Sequence, residues 1–217
     1  IGSFLGGSLT PYLLENSCEL IVSIDKRNQK QDDERSEEWS YERVSEAHMI
    51  KKLKEHNLKI DKLRTFNGDV KDFKTKMKFD LVFIDGIHTD INTFSDFLIT
   101  HNKVNKDSII MFHDSSIIFK SISMINLLLK NRKYKFKLIK FKGSEITSFF
   151  FGKFSNSNLN KLITPIENFD LFCKTAQERL LLEQINNRVK IDFKISKYLK
   201  GKNPYSLSLK KKVKKFS

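Results

Sequence analysis

Two stretches of the sequence determine its predicted fold: FDLVFIDGIH at residues 79–88 and SIIMFHD at residues 108–114. Each contains a short, nearly continuous apolar run, which is typical of a strand buried on both faces of a parallel sheet. Each run ends in polar residues, Asp85 and His88 in the first stretch and His113 and Asp114 in the second. Ligands of open α/β sheets bind beyond the carboxyl ends of the strands, so these four residues are candidate site residues.

Apolar runs of this kind alternate with helix-like segments up to about residue 152. The pattern predicts strands at 19–24, 63–66, 79–84 and 108–112, and helices at 36–56, 91–102 and 117–130. Two further strands, at 134–141 and 146–154, follow each other without a helix and are predicted to form an antiparallel hairpin. This order favours an α/β, Rossmann-like fold, with a mainly parallel sheet, a C-terminal antiparallel hairpin and helices on both faces.

The composition changes beyond the hairpin. Asn and Ser cluster at residues 155–160, which indicates a linker, and a helix is predicted at 175–188 before a Lys-rich tail. We therefore expect a main domain at residues 1–154 and a helical, Lys-rich extension at 155–217. The chain starts at Ile1 rather than at Met and enters a glycine turn directly, so we also expect that it is truncated at its N-terminus.

Charge and cysteine content narrow the class of protein. The net charge of +14 is compatible with a nucleic-acid partner. Most of the basic residues are Lys, however, which lacks the planar guanidinium with which Arg binds phosphates, so we do not expect such a partner. Cys18 and Cys173 form neither a disulfide framework nor a zinc pattern, and we expect a reducing, cytoplasmic setting. No apolar run approaches the roughly 18 residues of a membrane span. The oligomeric state is left open.

Three more polar or glycine-rich positions follow predicted strands. The turn GSFLGGS at residues 2–8 allows close approach of a ligand to the backbone, although an ordinary turn has the same composition. Asp25 closes the strand at 19–24, where an acid can accept both hydroxyls of a ribose or can simply be solvated. Gly68 and Asp69 follow the next strand and suit either an adenine contact or a turn.

In order and spacing these motifs resemble the class I S-adenosylmethionine-dependent methyltransferases, and most closely a bacterial branch with a DGxH motif and an HD strand end. The resemblance covers about residues 1–152. It implies that S-adenosylmethionine is the cofactor and that the matching positions hold it: the methionine and ribose part at Gly2, Ser3 and Gly6, the ribose at Asp25, the adenine edge at Gly68 and Asp69, and Asp85 beside them. The sequence NKD at residues 105–107 departs from the usual Gly-Gly turn.

The resemblance also implies a metal site, because some relatives bind a divalent cation through the acids that match Asp85 and Asp114, with His113 adjacent. Bound Mg²⁺ would lower the pKa of an acceptor hydroxyl and orient it. His88 is the candidate general base, although a hydrogen bond that orders the loop would explain it as well. Asp114 could instead cap the following helix. If both acids converge without a cation, one of them should have a raised pKa.

The leading function is therefore O-methylation of a hydroxyl on a small molecule or glycan, with Mg²⁺ as a candidate cofactor. A nucleic-acid methyltransferase is the alternative within the class, and a non-catalytic cofactor-binding domain is the alternative outside it. The five polar residues placed after strands, Asp25, Asp69, Asp85, His88 and Asp114, argue against a non-catalytic domain.

Overall fold

The computed structural model describes residues 1–27, 30–35, 38–40, 44–152 and 161–199. Its strands are β1 (Ile21–Asp25), β2 (Lys30–Asp32), β3 (Glu38–Ser40), β4 (Leu63–Asn67), β5 (Phe79–Ile84), β6 (Val104–Phe112), β7 (Lys137–Phe141), β8 (Thr147–Phe150) and β9 (Ile163–Pro165). Its helices are α1 (Thr10–Leu14), α2 (Glu46–Glu55), α3 (Asp90–His101), α4 (Phe119–Asn131) and α5 (Phe169–Leu199). Short 3-10 turns lie at Gly7–Leu9 and Val70–Asp72.

The strands form two parallel pairs and an antiparallel extension. β1 pairs with β4, and β5 pairs with β6, both in parallel. Beyond β6 the sheet continues through β8, β7 and β9, and all three of these pairings are antiparallel. The α/β, Rossmann-like class is confirmed, and so is the antiparallel pairing of the two strands predicted at 134–141 and 146–154. Residues 153 and 154 of that prediction lie outside the described residues.

The first two residues connect the two parallel pairs. The amide of Gly2 donates to the carbonyl of Ile24 in β1, at 2.9 Å. The nitrogen of Ile1 donates to the carbonyl of Phe83 in β5, and the Ile1 carbonyl accepts from the amide of Asp85. This dipeptide thus brings the carboxyl ends of β1 and β5 to one edge of the molecule.

The main core lies between the β5–β6 region of the sheet and helices α3 and α4. Phe97 of α3, Ile122 and Ile125 of α4, and Phe112 and Phe149 of the sheet are all fully buried. A side chain of this size contributes about 1.5–3 kcal/mol when it leaves water, so this layer fixes the positions at which β5 and β6 end.

Two predicted helices are wrong in extent. The helix expected at 36–56 begins only at Glu46, where the side chain of Ser45 caps it by accepting from the amide of His48. Residues Glu38–Ser40 form β3 instead, which pairs with β2 in an antiparallel hairpin. The helix expected at 175–188 is longer than predicted and spans Phe169–Leu199.

Helix α5 packs against the end of the main core. Ala176 and Leu180 are buried against Ile117 and Phe119, which precede and begin α4. The strand β9, which comes before this helix in the chain, extends the sheet at β7. Residues beyond 154 therefore contribute to both the sheet and the packing, while the Lys-rich residues 200–217 lie outside the described part of the chain.

Both cysteines, Cys18 and Cys173, are free thiols. Among the helices of the described residues, none combines the length and the apolar character needed to cross a membrane.

We predict that Leu180→Ala lowers the free energy of unfolding by about 2–4 kcal/mol, because it removes a buried side chain that α5 packs against Ile117 and Phe119. Leu181→Ala is the matched control, since Leu181 is 50% exposed and should cost under about 0.5 kcal/mol. Urea denaturation measures both. Equal effects of the two substitutions would mean that α5 does not pack in this way.

Candidate active site

The glycine turn at residues 2–8 runs directly against the end of β5. Gly2 has a φ of 74°, and a Cβ at this position would lie 1.9 Å from the carbonyl oxygen of Asp85. Gly6 has a φ of 90°, and a Cβ there would lie 2.8 Å from Leu53 of α2. Both positions therefore require glycine, one for its approach to the site and the other for its packing on α2.

Asp25 holds this turn at the end of β1. Its Oδ2 accepts hydrogen bonds from the backbone amides of Ser3 and Phe4, both at 2.8 Å, and from the hydroxyl of Ser3 at 3.2 Å. Arg27 reinforces the arrangement, because its guanidinium donates to the Phe4 carbonyl and the Ser3 hydroxyl and lies 3.5 Å from Oδ2 of Asp25. Oδ1 of Asp25 takes part in none of these contacts.

Gly68 and Asp69 lie beside Asp25, at the end of β4. The Gly68 amide donates to the backbone carbonyl of Asp25 at 3.1 Å. The Asp69 side chain caps the short turn Val70–Asp72 by accepting from the amide of Lys71. The turn alternative that the sequence left open for Asp69 is thus present, and Asp69 also lines the cleft described below.

Four polar residues converge at the ends of β5 and β6. Nε2 of His88 lies 3.2 Å from Oδ1 of Asp85, and Nδ1 of His88 lies 3.2 Å from Oδ2 of Asp114. Nδ1 of His113 lies 3.1 Å from Oδ1 of Asp85 and 3.3 Å from Oδ1 of Asp114. Although close to both carboxylates, this Nδ1 is buried without a well-aligned hydrogen bond from any described residue. The two imidazoles therefore lie between the two carboxylates.

This arrangement corrects one expectation. Burial alone would raise the pKa of Asp85, but the contacts with His113 and His88 outweigh it and lower that pKa below its usual value. The contact with Asp85 raises the pKa of His113 in turn. The expected raised carboxylate pKa is wrong for Asp85, because the imidazoles lie close to its carboxylate and favour its charged form.

Asp114 does not cap helix α4 with its side chain. Helix α4 follows Ile118 and has no side-chain cap, and it is the backbone carbonyl of Asp114 that accepts from the amides of Ile117 and Ile118. Asp114 has a φ of 49°, in the left-handed region that disfavours side chains other than Asn and Asp. Its carboxylate faces His88 and His113 instead, so the helix-cap alternative is wrong.

A turn that sequence reasoning missed lies against this cluster. Arg35 is held by Asp33, with distances of 2.7 Å and 2.5 Å from its guanidinium nitrogens to Oδ2. The same guanidinium lies 3.7 Å from Oδ2 of Asp114. Asp33 and Arg35 directly precede the segment that was predicted as a helix from residue 36. No sequence motif distinguishes these two residues from the other charged residues of the chain.

A cleft of about 630 Å³ opens in front of all these elements. Eight of the ten candidate residues line it: Gly2, Ser3, Asp25, Gly68, Asp69, Asp85, His88 and Asp114. Gly6 and His113 do not: Gly6 packs on α2, and His113 contacts Asp85 and Asp114 without lining the cleft. Unpredicted lining residues include Arg27, Arg35, Asn92 and Asp96. Asn92 and Asp96 are spaced by four on α3 and so share one face of the helix, but such spacing is common on solvated helix faces and does not by itself indicate a site.

Comparison with known proteins identifies the family of the chain. Residues 1–115, more than half of the chain, match the methyltransferase domain family, and the chain belongs to that family. The class of protein is thus a methyltransferase with the class I fold, and the resemblance to this class noted from the sequence is confirmed. The narrower resemblance, to a branch with DGxH and HD motifs, stays a prediction.

Several solved structures are similar to this chain at low identity, each with a TM-score under 0.5. The O-methyltransferase NovP is 13% identical, with 69% of each chain covered and a TM-score of 0.49. A putative caffeoyl-CoA O-methyltransferase from Staphylococcus aureus is 12% identical, with 69% of this chain and 73% of that chain covered and a TM-score of 0.45. A putative rRNA methylase from Clostridium thermocellum is 13% identical, with coverages of 69% and 84% and a TM-score of 0.45. No curated protein matches the sequence significantly.

We predict that Asp96→Asn stabilises the protein at pH 8. Burial raises the pKa of Asp96 from 3.8 to about 6, so the folded state holds the proton more tightly than the unfolded chain. The stability of the wild type should therefore fall as the pH rises through this range, and the amide should remove that loss, with a gain of up to about 3 kcal/mol at pH 8.

Urea denaturation of the cofactor-free protein at pH 4 and pH 8 measures the effect. The gain should shrink to under about 1 kcal/mol at pH 4, because the folded carboxyl is protonated there and the unfolded one is only partly ionised. Asp61→Asn, at an exposed position, is the control and should change neither value. A variant that is no more stable than the wild type at pH 8 would contradict the raised pKa.

Proposed function

We propose that this protein is an S-adenosylmethionine-dependent methyltransferase that methylates a hydroxyl group of a small molecule or glycan. The observation that carries the proposal is the convergence of Asp85, His88, His113 and Asp114 at the strand ends, beside the glycine turn and at the wall of the cleft. Such a cluster can receive a proton next to a bound methyl donor.

The cofactor half of the cleft is formed by the turn, Asp25, and the pair Gly68 and Asp69. Oδ2 of Asp25 accepts the hydrogen bonds that order the turn. Oδ1 of the same carboxylate takes no part in these hydrogen bonds, so this oxygen suits the hydroxyls of a ribose. Asp69 lines the cleft next to Gly68 and suits the adenine edge. When bound, S-adenosylmethionine supplies a methyl group on a sulfonium, which is transferred to the acceptor oxygen.

His88 is proposed as the proton acceptor. Asp114 lies at its Nδ1 and can fix the tautomer that protonates this nitrogen, so that Nε2 and the adjacent Oδ1 of Asp85 together can take and share the proton of the acceptor hydroxyl. Asp85 lies beside Nε2, so the imidazolium that results has a carboxylate on each side. Sugar and alcohol hydroxyls are poor nucleophiles at neutral pH, and removal of their proton is the step for which these residues are suited.

A divalent cation fits the same cluster. Asp85, His88 and His113 offer ligand atoms that all lie within 4.8 Å of one another, and the buried Nδ1 of His113 lacks a well-aligned partner among the described residues. Asp85, His88 and His113 would hold the ion, whereas Asp114, which the sequence suggested as a ligand, is not part of this group. A set that mixes carboxylate with imidazole suits Mn²⁺, Fe²⁺ or Zn²⁺ better than Mg²⁺, which prefers oxygen ligands. A bound ion would lower the pKa of the acceptor hydroxyl.

The arginines of the cleft favour a small acceptor over a nucleic acid. The guanidinium of Arg27 is engaged by the turn, and that of Arg35 by Asp33 and Asp114. Neither is displayed for the bidentate phosphate contacts on which nucleic-acid binding relies. The free thiols of Cys18 and Cys173 are consistent with a reducing compartment, and we propose a cytoplasmic location.

The cofactor role of Asp25 predicts that Asp25→Ala weakens binding of S-adenosylmethionine by roughly 1–3 kcal/mol, because ribose hydroxyls and the turn amides lose their acceptor. Isothermal titration calorimetry measures the affinity. Asp61→Ala, at an exposed aspartate near the opposite end of β4, serves as the control and should bind as the wild type does. Unchanged affinity of the Asp25 variant would exclude the ribose role.

The proton-acceptor role predicts that His88→Ala lowers methyl transfer by roughly 10²–10⁴-fold, the usual contribution of a general base. Transfer of a labelled methyl group from S-adenosylmethionine is measured with sugars, phenols and RNA as acceptors, and a hydroxyl-bearing small molecule is the expected substrate. His56→Ala, at an exposed histidine after α2, is the control.

Two results would redirect the proposal. Methylation of RNA alone would favour the nucleic-acid alternative, and no transfer to any acceptor despite cofactor binding would favour a non-catalytic domain. The same assay in excess EDTA tests the cation: a full rate there would eliminate the metal and leave His88 to act alone.

A further inference from the structure

The turn at residues 33–35 is held from outside by helix α5. The side-chain amide of Gln184 donates to the backbone carbonyl of Glu34 at 2.6 Å, although the two residues are 150 positions apart in the chain. The side-chain amide of Asn187 donates to the carbonyl of Arg35 at 3.2 Å. Asn187 is only 6% exposed, and a buried amide requires such a partner. One face of α5 therefore binds two consecutive backbone carbonyls of this turn.

The same turn is bound on its other side to the loop that carries His88. The backbone amide of Glu34 donates to the carbonyl of His88 at 3.1 Å. The carboxylate of Glu34 accepts from the amide of Asp90, the first residue of α3, at 2.8 Å. These bonds clamp residues 88–90, which set the direction in which the His88 imidazole leaves the backbone.

Arg35 connects the turn to the second strand end. Its guanidinium is oriented by the buried Asp33 and lies 3.7 Å from Oδ2 of Asp114, the same oxygen that lies 3.2 Å from Nδ1 of His88. Helix α5, the turn and the cluster thus form one continuous series of contacts. Displacement of the turn would alter both the backbone of His88 and the surroundings of Asp114.

We propose that Gln184 and Asn187 of α5 are positioning residues for the active site, which act by holding residues 33–35 against His88 and Asp114. This inference rests on the proposed role of His88. It makes α5 a structural support of the catalytic cleft, which the turn at 33–35 lines with Arg35. The bonds from α5 are to backbone carbonyls, so they fix the path of the turn independently of its side chains.

A merely structural role would be different. In that case Gln184 and Asn187 would only anchor α5 to the domain, and their loss would loosen the helix without changing the site. The two roles separate in a measurement that reports on His88 itself and needs no methyl acceptor.

The test compares the double variant Gln184→Met and Asn187→Leu with the double variant Gln177→Met and Asn186→Leu, which makes the same changes at exposed positions of the same helix. Diethyl pyrocarbonate, which modifies unprotonated imidazole nitrogens, is applied to the folded proteins, and mass spectrometry follows the rate at each histidine. Hydrogen exchange of the Glu34 and Asp90 amides is measured in parallel.

We expect the first variant to raise the modification rate of His88 and the exchange rate of both amides by roughly five- to tenfold, the scale of a local opening made easier by one net hydrogen bond. The exposed His48 and His56 should react as in the wild type, and the control variant should match the wild type throughout. An unchanged rate at His88, with or without faster exchange at Glu34, would overturn the proposal. So would an equal rise at all three histidines, which would indicate general unfolding.

Neither readout involves methyl transfer, so the two proposals fail separately. Absence of methyl transfer would leave the coupling of α5 to His88 intact as a structural result. Absence of the coupling would leave the O-methyltransferase proposal to its own tests.

Discussion

The contact between the Gly2 backbone and the carbonyl of Asp85 is the constraint on which the geometry of the cleft depends. A single methyl group on Gly2 would lie 1.9 Å from that oxygen, so no other residue permits the approach. Ile1 and Gly2 also form hydrogen bonds to β5 and β1. Together these contacts fix the position of the turn that Asp25 orders relative to the strand end that carries Asp85. The part of the cleft formed by the glycine turn and the part formed by the end of β5 are therefore held together by backbone contacts.

The cluster at the other half of the cleft is stable because unlike groups alternate in it. Carboxylates placed this close would repel each other, but His88 and His113 lie between Asp85 and Asp114. The result is the lowered pKa of Asp85 and the raised pKa of His113, each favouring the charged form of its partner.

The sequence predicted what depends on local patterning and missed what depends on contacts between distant residues. The run Phe79–Ile84 was predicted with its exact ends, because it is continuous, apolar and followed by Asp85. A helix was expected from residue 36 because the charged residues in 36–45 have helix propensity. The helix begins only at Glu46, because Glu38–Ser40 pair with β2 in a hairpin instead. Pairing of strands within this hairpin outweighed helix propensity there.

The same limit explains why Arg35, Gln184 and Asn187 could not be found from the sequence. A polar side chain on a helix is ordinarily solvated, and periodicity shows only which face is apolar, here the face with Ala176 and Leu180. Once that face packs beside α4, the geometry of α5 carries Asn187, two turns further along, to the turn at 33–35. Packing of an apolar face thus determines where a polar contact near His88 can form. The same helix therefore both packs on the core and contacts the turn next to the cleft.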